Sequence, residues 1–212
     1  MRSEDMIALI DYDAGNMKSC GKALQLIGED VLVTRDPKEI LAADKVVLPG
    51  VGSFGDAMEN LHHFGLVPVI HQVVQEQTPF LGICLGLQLL FEKSEESPGV
   101  EGLGILKGEI LRIPAAEGLK IPHMGWNNIR FPNKGRLFAG VPEDAYVYFV
   151  HSYYLKAQDE KIVTATTEYG THIHASVESG NLFACQFHPE KSSHVGLQIL
   201  KNFAKLEGKG GR

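Results

Sequence analysis

Pro79-Phe80-Leu81-Gly82-Ile83-Cys84-Leu85-Gly86-Leu87-Gln88-Leu89-Leu90-Phe91 reads as a short buried strand running directly into a helix. The apolar run over 79–83 has the length of a parallel-sheet strand, and the leucine-rich segment over 85–91 follows without a loop. Gly82 and Gly86 stand two positions either side of Cys84, so the backbone can bend sharply there and hold the thiol up and exposed. The partial positive charge at the start of the following helix would favour a thiolate at that point. A buried core cysteine at an apolar helix start is the plainer reading; the glycine spacing and the strand–helix context favour the exposed thiol.

Upstream, the chain alternates strand and helix signals, the pattern of a parallel sheet covered by helices. A strand over 6–11 ends at the turn Gly15-Asn16, after which Met17, Cys20, Leu24 and Ile27 mark one helical face. A strand over 31–34 follows. The strand over 45–48 stops at Pro49-Gly50-Val51-Gly52, and Phe54, Ala57, Met58 and Leu61 place an amphipathic helix directly after that glycine-rich turn. The downstream half is richer in short strand candidates, over 105–113, 128–131, 146–154, 162–167, 172–177 and 182–188. Val195, Ile199, Leu200, Phe203 and Leu206 predict a closing helix with Ser192 and Ser193 as N-cap candidates. The expected fold is α/β: one domain over 1–206, a mostly parallel central sheet with helices on both faces, and an antiparallel extension in the C-terminal half. The glycine-rich stretch 207–212 is expected to fray.

Composition agrees with one well-packed domain. Of the 212 residues, 44% are hydrophobic and 22% charged, and 20 Lys+Arg against 26 Asp+Glu give a formal net charge of −6. That balance argues against nucleic acid or an anionic membrane surface as the main partner. The first ten residues carry two acidic side chains and only a short apolar run, unlike a targeting peptide. Three cysteines, Cys20, Cys84 and Cys185, lack paired metal-ligand spacing and fit reduced thiols in a cytoplasmic protein.

A thiol nucleophile needs a base, and the base an orienting acceptor. Gln186-Phe187-His188-Pro189-Glu190 offers both, with His188 at the C-terminal end of a strand, where ligands bind in open α/β sheets. Acyl transfer also needs donors for a developing oxyanion. The N–H of Leu85 is one candidate; Val51 or Gly52, in the turn after the neighbouring strand, supplies another. That turn could instead cradle phosphate, but its spacing matches neither G-x-G-x-x-G nor the nucleotide P-loop.

Further segments complete a pattern: Pro122-His123-Met124-Gly125-Trp126-Asn127 and Tyr148-Phe149-Val150-His151-Ser152-Tyr153, with Lys191-Ser192 after Glu190. In order and content these motifs resemble the triad-type (class I) glutamine amidotransferases with a flavodoxin-like sheet, and among them the glutaminase subunits of imidazole glycerol phosphate synthases. The resemblance spans residues 49–192. It implies that Cys84 attacks the side-chain amide of L-glutamine, His188 shuttles the proton, and Glu190 holds the imidazole. It implies substrate contacts at Gln88, Glu96, Ser152 and Tyr153. It further implies a heterodimer with a (β/α)8 cyclase that takes up the ammonia in histidine biosynthesis, with Asn16, Trp126, Asn127, Tyr148 and Lys191 toward that partner. No cofactor or metal is implied. Asp13 departs from the glycine common in the family at that turn.

His172 and His174 alternate along a strand and share a face, but nothing nearby supplies further metal ligands, so both are expected in solvent. His62 and His63 read as surface, Cys20 and Cys185 as core. Rival readings are a cysteine hydrolase of peptides or esters, the glutaminase of another triad amidotransferase, and a non-catalytic regulatory module of the same fold.

Overall fold

The structure is a computed structural model that describes residues 6–208. Its elements are β1 (Met6–Ile10), α1 (Met17–Leu26), β2 (Asp30–Thr34), α2 (Pro37–Ala42), β3 (Lys45–Leu48), α3 (Phe54–His63), α4 (Leu66–Gln75), β4 (Phe80–Ile83) and α5 (Leu85–Leu89). There follow β5 (Lys93–Ser94), β6 (Gly108–Arg112), β7 (His123–Asn128), β8 (Tyr146–His151), β9 (Tyr153–Ala157), β10 (Val163–Glu168), β11 (His172–Ser179), β12 (Leu182–Cys185) and α6 (Ser193–Ala204).

The main sheet runs β2-β1-β3-β4-β12-β11-β9-β6-β5, with β10 paired to β11. From β2 to β12 every pairing is parallel, in the flavodoxin-like order, and β12-β11-β9-β6 is antiparallel. Successive side chains of a strand point to opposite faces. Ala8, Ile10, Val46 and Leu48 therefore pack under α2, α3 and α4, whereas Ile7, Leu9 and Val47 pack under α1 and α6. A separate two-stranded ribbon, β7–β8, lies on the second face, where Val147 and Phe149 join the core of α1 and α6.

Several boundaries differ from the sequence reading. The expected strand over 128–131 is displaced: the ribbon strand is His123–Asn128, and Arg130 makes only an isolated bridge to Thr166. The strand expected over 146–154 is broken at Ser152 into β8, in the ribbon, and β9, in the main sheet. β12 stops at Cys185, short of His188. Ser192 begins α6 by position, but its hydroxyl makes no cap bond, being committed to His188 and Tyr148. His174 is buried, its Nδ1 accepting from the Ala157 N–H at 3.1 Å where β9 pairs alongside β11; His172 is exposed and paired with Glu168. His62 and His63 are exposed, and Cys20 and Cys185 are buried. Of the stretch expected to fray, residues 209–212 lie outside the described residues. Among the described residues no helix is long and apolar enough to cross a membrane, and no group of three His, Cys, Asp or Glu could hold a metal ion.

Candidate active site

Four parallel strands end at one place. β4 delivers Cys84, β12 leads to His188, β3 leads to the 49–52 turn, and β1 leads to Asn16. This is the crevice beyond the carboxyl ends of an open sheet.

Cys84 takes φ 55°, ψ −105°, a conformation L-residues rarely adopt and one that costs on the order of 1–3 kcal/mol. The glycines make the bend possible by their lack of side chains: a Cβ on Gly86 would collide with the Leu48 carbonyl, and one on Gly82 with the Gly86 carbonyl. α5, Leu85–Leu89, is shorter than the sequence suggested, Leu90 and Phe91 having turned away to cover the core.

His188 and Glu190 are joined Nδ1 to Oε1 at 2.7 Å with both side chains fully buried. The backbone of His188 is held from two sides: its N–H donates to the Tyr148 carbonyl of β8 at 2.9 Å, and its carbonyl accepts from Ser192 Oγ, at the start of α6, at 2.7 Å. Nε2 of the ring makes no hydrogen bond among the described residues, yet the Cys84 sulfur lies close enough to influence its charge. Burial alone would lower the pKa of His188; the Cys84 sulfur and the Glu190 carboxylate outweigh burial and hold it up at about 9. Burial likewise opposes the charge on Glu190, but His188 and Asn16 keep its carboxyl below the usual range. Asn16, which the sequence placed only near a partner face, donates Nδ2–H to Glu190 Oε1 at 2.6 Å. A left-handed φ of 64° at Asn16 aims the amide there, and the turn Gly15-Asn16 was the only sequence trace of it.

A pocket of about 310 Å³ opens in front of the sulfur, lined among others by Val51, Gly52, Gln88, Glu96, Ser152 and Tyr153. Every expected substrate contact is thus on its wall. Gln88 spends both amide N–H groups, on the Tyr153 carbonyl at 3.1 Å and Gln186 Oε1 at 3.0 Å, so only its oxygen can act further, as an acceptor. Glu96 gives Oε2 to the first N–H of α3, at Phe54, at 2.8 Å. Gln186, which no sequence argument marked as a site residue, donates to Cys84 Sγ at 3.6 Å.

Two of the amides expected as oxyanion donors, those of Leu85 and Val51, are occupied. Leu85 N–H donates to the Gly50 carbonyl at 3.4 Å, and Val51 N–H to the Ala14 carbonyl at 2.9 Å. Gly52 has φ 117°, a backbone state that glycine adopts and other residues rarely do.

Of the remaining residues, Trp126 and Tyr148 are cross-strand partners in the β7–β8 ribbon, their rings 6.1 Å apart. Trp126 is 52% exposed, so it is no core residue, and Met124 and Tyr146 are exposed beside it. Lys191 is exposed, and Asn127 bonds inward to His123 and the Glu168 carbonyl.

The glutamine amidotransferase class-I family model matches residues 8–206. The chain is 56% identical over 200 residues to the imidazole glycerol phosphate synthase subunit HisH of Moorella thermoacetica, covering 94% of each chain. It is 48% identical over 205 residues to the protein of the same name from Bacillus subtilis, covering 95% of this chain and 96% of that one. Among solved structures, PurLQS from Thermotoga maritima superposes with a TM-score of 0.72 at 20% identity, over 95% of this chain and 98% of that one, a likeness of fold alone. Elbow, buried His–Glu pair and near full-length match together make this chain a member of the class-I glutamine amidotransferase family.

Proposed function

We propose that this chain, as one amidotransferase domain over 1–206, is the glutaminase subunit of an imidazole glycerol phosphate synthase. It hydrolyses L-glutamine in the cytoplasm and passes ammonia to a (β/α)8 cyclase partner. The observation that carries the reading is the placement of Cys84 between the pocket and the buried His188–Glu190 pair, in a chain so similar to HisH subunits.

In the proposed reaction the Cys84 sulfur attacks the glutamine side-chain carbonyl and the C–N bond breaks as His188 Nε2 gives its proton to the departing nitrogen, releasing ammonia. Water then adds to the γ-glutamyl thioester, His188 takes a proton from that water and returns it to the sulfur, and glutamate leaves. Glu190, steadied by Asn16, keeps the imidazole oriented throughout. Gln88 and Glu96 fit the α-ammonium group, Ser152 and Tyr153 the pocket wall. The aromatic pair Trp126 and Tyr148 on the ribbon, together with Asn16, Asn127 and Lys191, suits the cyclase interface. The ammonia would serve formation of imidazole glycerol phosphate and aminoimidazole carboxamide ribonucleotide.

The test is glutamate release from glutamine, measured with the chain alone, with the cyclase, and with the cyclase plus its nucleotide ligand. Slow release alone and much faster release in the full complex is expected; glutamine left intact under all three conditions overturns the proposal.

A further inference from the structure

A second histidine pair lies beside the pocket and takes no part in the chemistry above. His123 on β7 and His151 on β8 are cross-strand partners, both buried, with His123 Nδ1 3.0 Å from His151 Nε2. Their tautomers follow from their neighbours. His151 Nδ1 lies 2.8 Å from the Tyr153 carbonyl, which can only accept, so Nδ1 carries the proton. In a neutral ring His151 Nε2 is then an acceptor, and His123 Nδ1 must donate to it.

The other end gives the same answer independently. The Asn128 N–H donates to Asn127 Oδ1 at 2.9 Å, which fixes the orientation of that amide. Asn127 Nδ2 therefore faces His123 Nε2 at 3.3 Å and can only donate, so His123 Nε2 is unprotonated. Burial pushes His123 down to about 4 and His151 to about 3, which keeps both rings neutral at physiological pH. His123 is further clamped between the rings of Phe149 and Tyr169, centroids 4.7 and 3.9 Å away.

The chain of bonds does not stop at the pocket wall. The Tyr153 carbonyl also accepts from Gln88 Nε2, Gln88 donates to Gln186 Oε1, and Gln186 Nε2 donates to the Cys84 sulfur. We infer that His123 and His151, locked as neutral Nδ1–H tautomers, are positioning residues. They tie the ribbon at Asn127 to the Tyr153 carbonyl and, through Gln88 and Gln186, set the place of the Cys84 sulfur. Because Asn127 adjoins exposed Trp126, a body seated on that ribbon has a continuous polar path to the nucleophile. The catalytic consequence rests on the glutaminase reading; the tautomers and the link to the sulfur do not.

Two-bond 1H–15N correlation spectra of the chain labelled with 15N-histidine, recorded between about pH 6 and 8 where an ordinary imidazole titrates, test the first part. Both histidines are expected in the Nδ1–H form throughout; an Nε2–H form or a titration at either one overturns the inference. His123→Phe keeps the stack on Phe149 and Tyr169 while removing both nitrogens. Its expected effect is a fall of about tenfold in kcat for glutamine and in the rate of Cys84 alkylation by iodoacetamide, with KM changed less than about twofold, the scale of one lost hydrogen bond. A purely structural role lowers the melting temperature and leaves both rates of the folded variant unchanged, and that result sinks the link to the sulfur. Alkylation is read without glutamine, so it stands even if the glutaminase proposal falls. If His123→Phe does not fold, Asn127→Ala removes the outermost bond of the chain, along with those to the Glu168 carbonyl and the Asn128 N–H, while leaving both histidines in place, and is read by the same alkylation rate.

Discussion

The Leu85 N–H, the donor nearest the nucleophile, points at the Gly50 carbonyl across 3.4 Å. The same turn ties Val51 N–H to Ala14, so neither of these amides is offered to a substrate oxygen. For the proposed reaction to use these amides as oxyanion donors the 49–52 peptide must turn over, and a partner that favoured the turned form would raise activity by population shift. Tyr12 holds the resting form, its buried hydroxyl donating to the Pro49 carbonyl at 2.7 Å. Tyr12→Phe leaves that carbonyl without a partner and is expected to cost about 1–3 kcal/mol in urea unfolding. It is also expected to raise glutaminase activity without a partner, and an unchanged basal rate would show that Tyr12 does not restrain the turn.

Stability should carry the mark of His188. Its pKa rises from 6.5 to about 9 in the fold, so its contribution is fully present below about 6.5 and is lost as pH rises through about 9. The melting temperature is therefore expected to decline over that window, and Glu190→Gln to flatten the decline by removing one of the two groups that raise the pKa. An equal slope in both proteins contradicts the assigned cause.

Asn16 offers a sharper test of positioning. Its bond to the Glu190 carboxylate is charge-assisted and partly buried, and losing such a bond costs roughly 1.5–3 kcal/mol. Asn16→Ala should lower kcat by roughly tenfold to a hundredfold while KM for glutamine stays nearly constant. A rise in KM at constant kcat would assign Asn16 to substrate or partner binding instead.

Trp126 separates folding from assembly. Half exposed on the ribbon, it contributes little to the chain's own stability, and Trp126→Ala is expected to shift unfolding by less than about 0.5 kcal/mol. Binding of the cyclase should weaken by about 2 kcal/mol or more if Trp126 is a central anchor. Urea unfolding of the variant checks the first half and calorimetric titration with the cyclase the second, and undiminished affinity removes Trp126 from the interface.

The elbow was legible because Gly82, Cys84 and Gly86 lie within five residues and Gly82 is required by the Gly86 carbonyl itself; the requirement at Gly86, set by the Leu48 carbonyl on another strand, was not. β3 and α3 were equally plain, from the buried run at 45–48 and the spacing of Phe54, Ala57, Met58 and Leu61. α2 and α4 were not read although the chain signals both. Asp36 caps α2 with Pro37 in its first turn, and Leu66, Val69, Ile70 and Val73 line the buried face of α4. The break at Ser152 could not be seen, since one continuous β-like run serves two sheets. Nor could the bonds from Gln88 to Gln186 or from His123 to His151, which join residues 98 and 28 positions apart with no pattern within either segment.

The central claim is that one thiol of three is the nucleophile. All three thiols are buried, against the exposed Cys84 expected from the sequence, but Cys84 lines the pocket, whereas Cys20 and Cys185 lie in the core, where burial pushes both thiols well above their usual range, so neither is available as a thiolate. The most direct measurement is peptide mapping after incubation with an electrophilic glutamine analogue. A single adduct on Cys84, blocked by excess glutamine and absent from Cys84→Ala, is the predicted result. An adduct on Cys20 or Cys185, or labelling that persists in Cys84→Ala, would contradict the account.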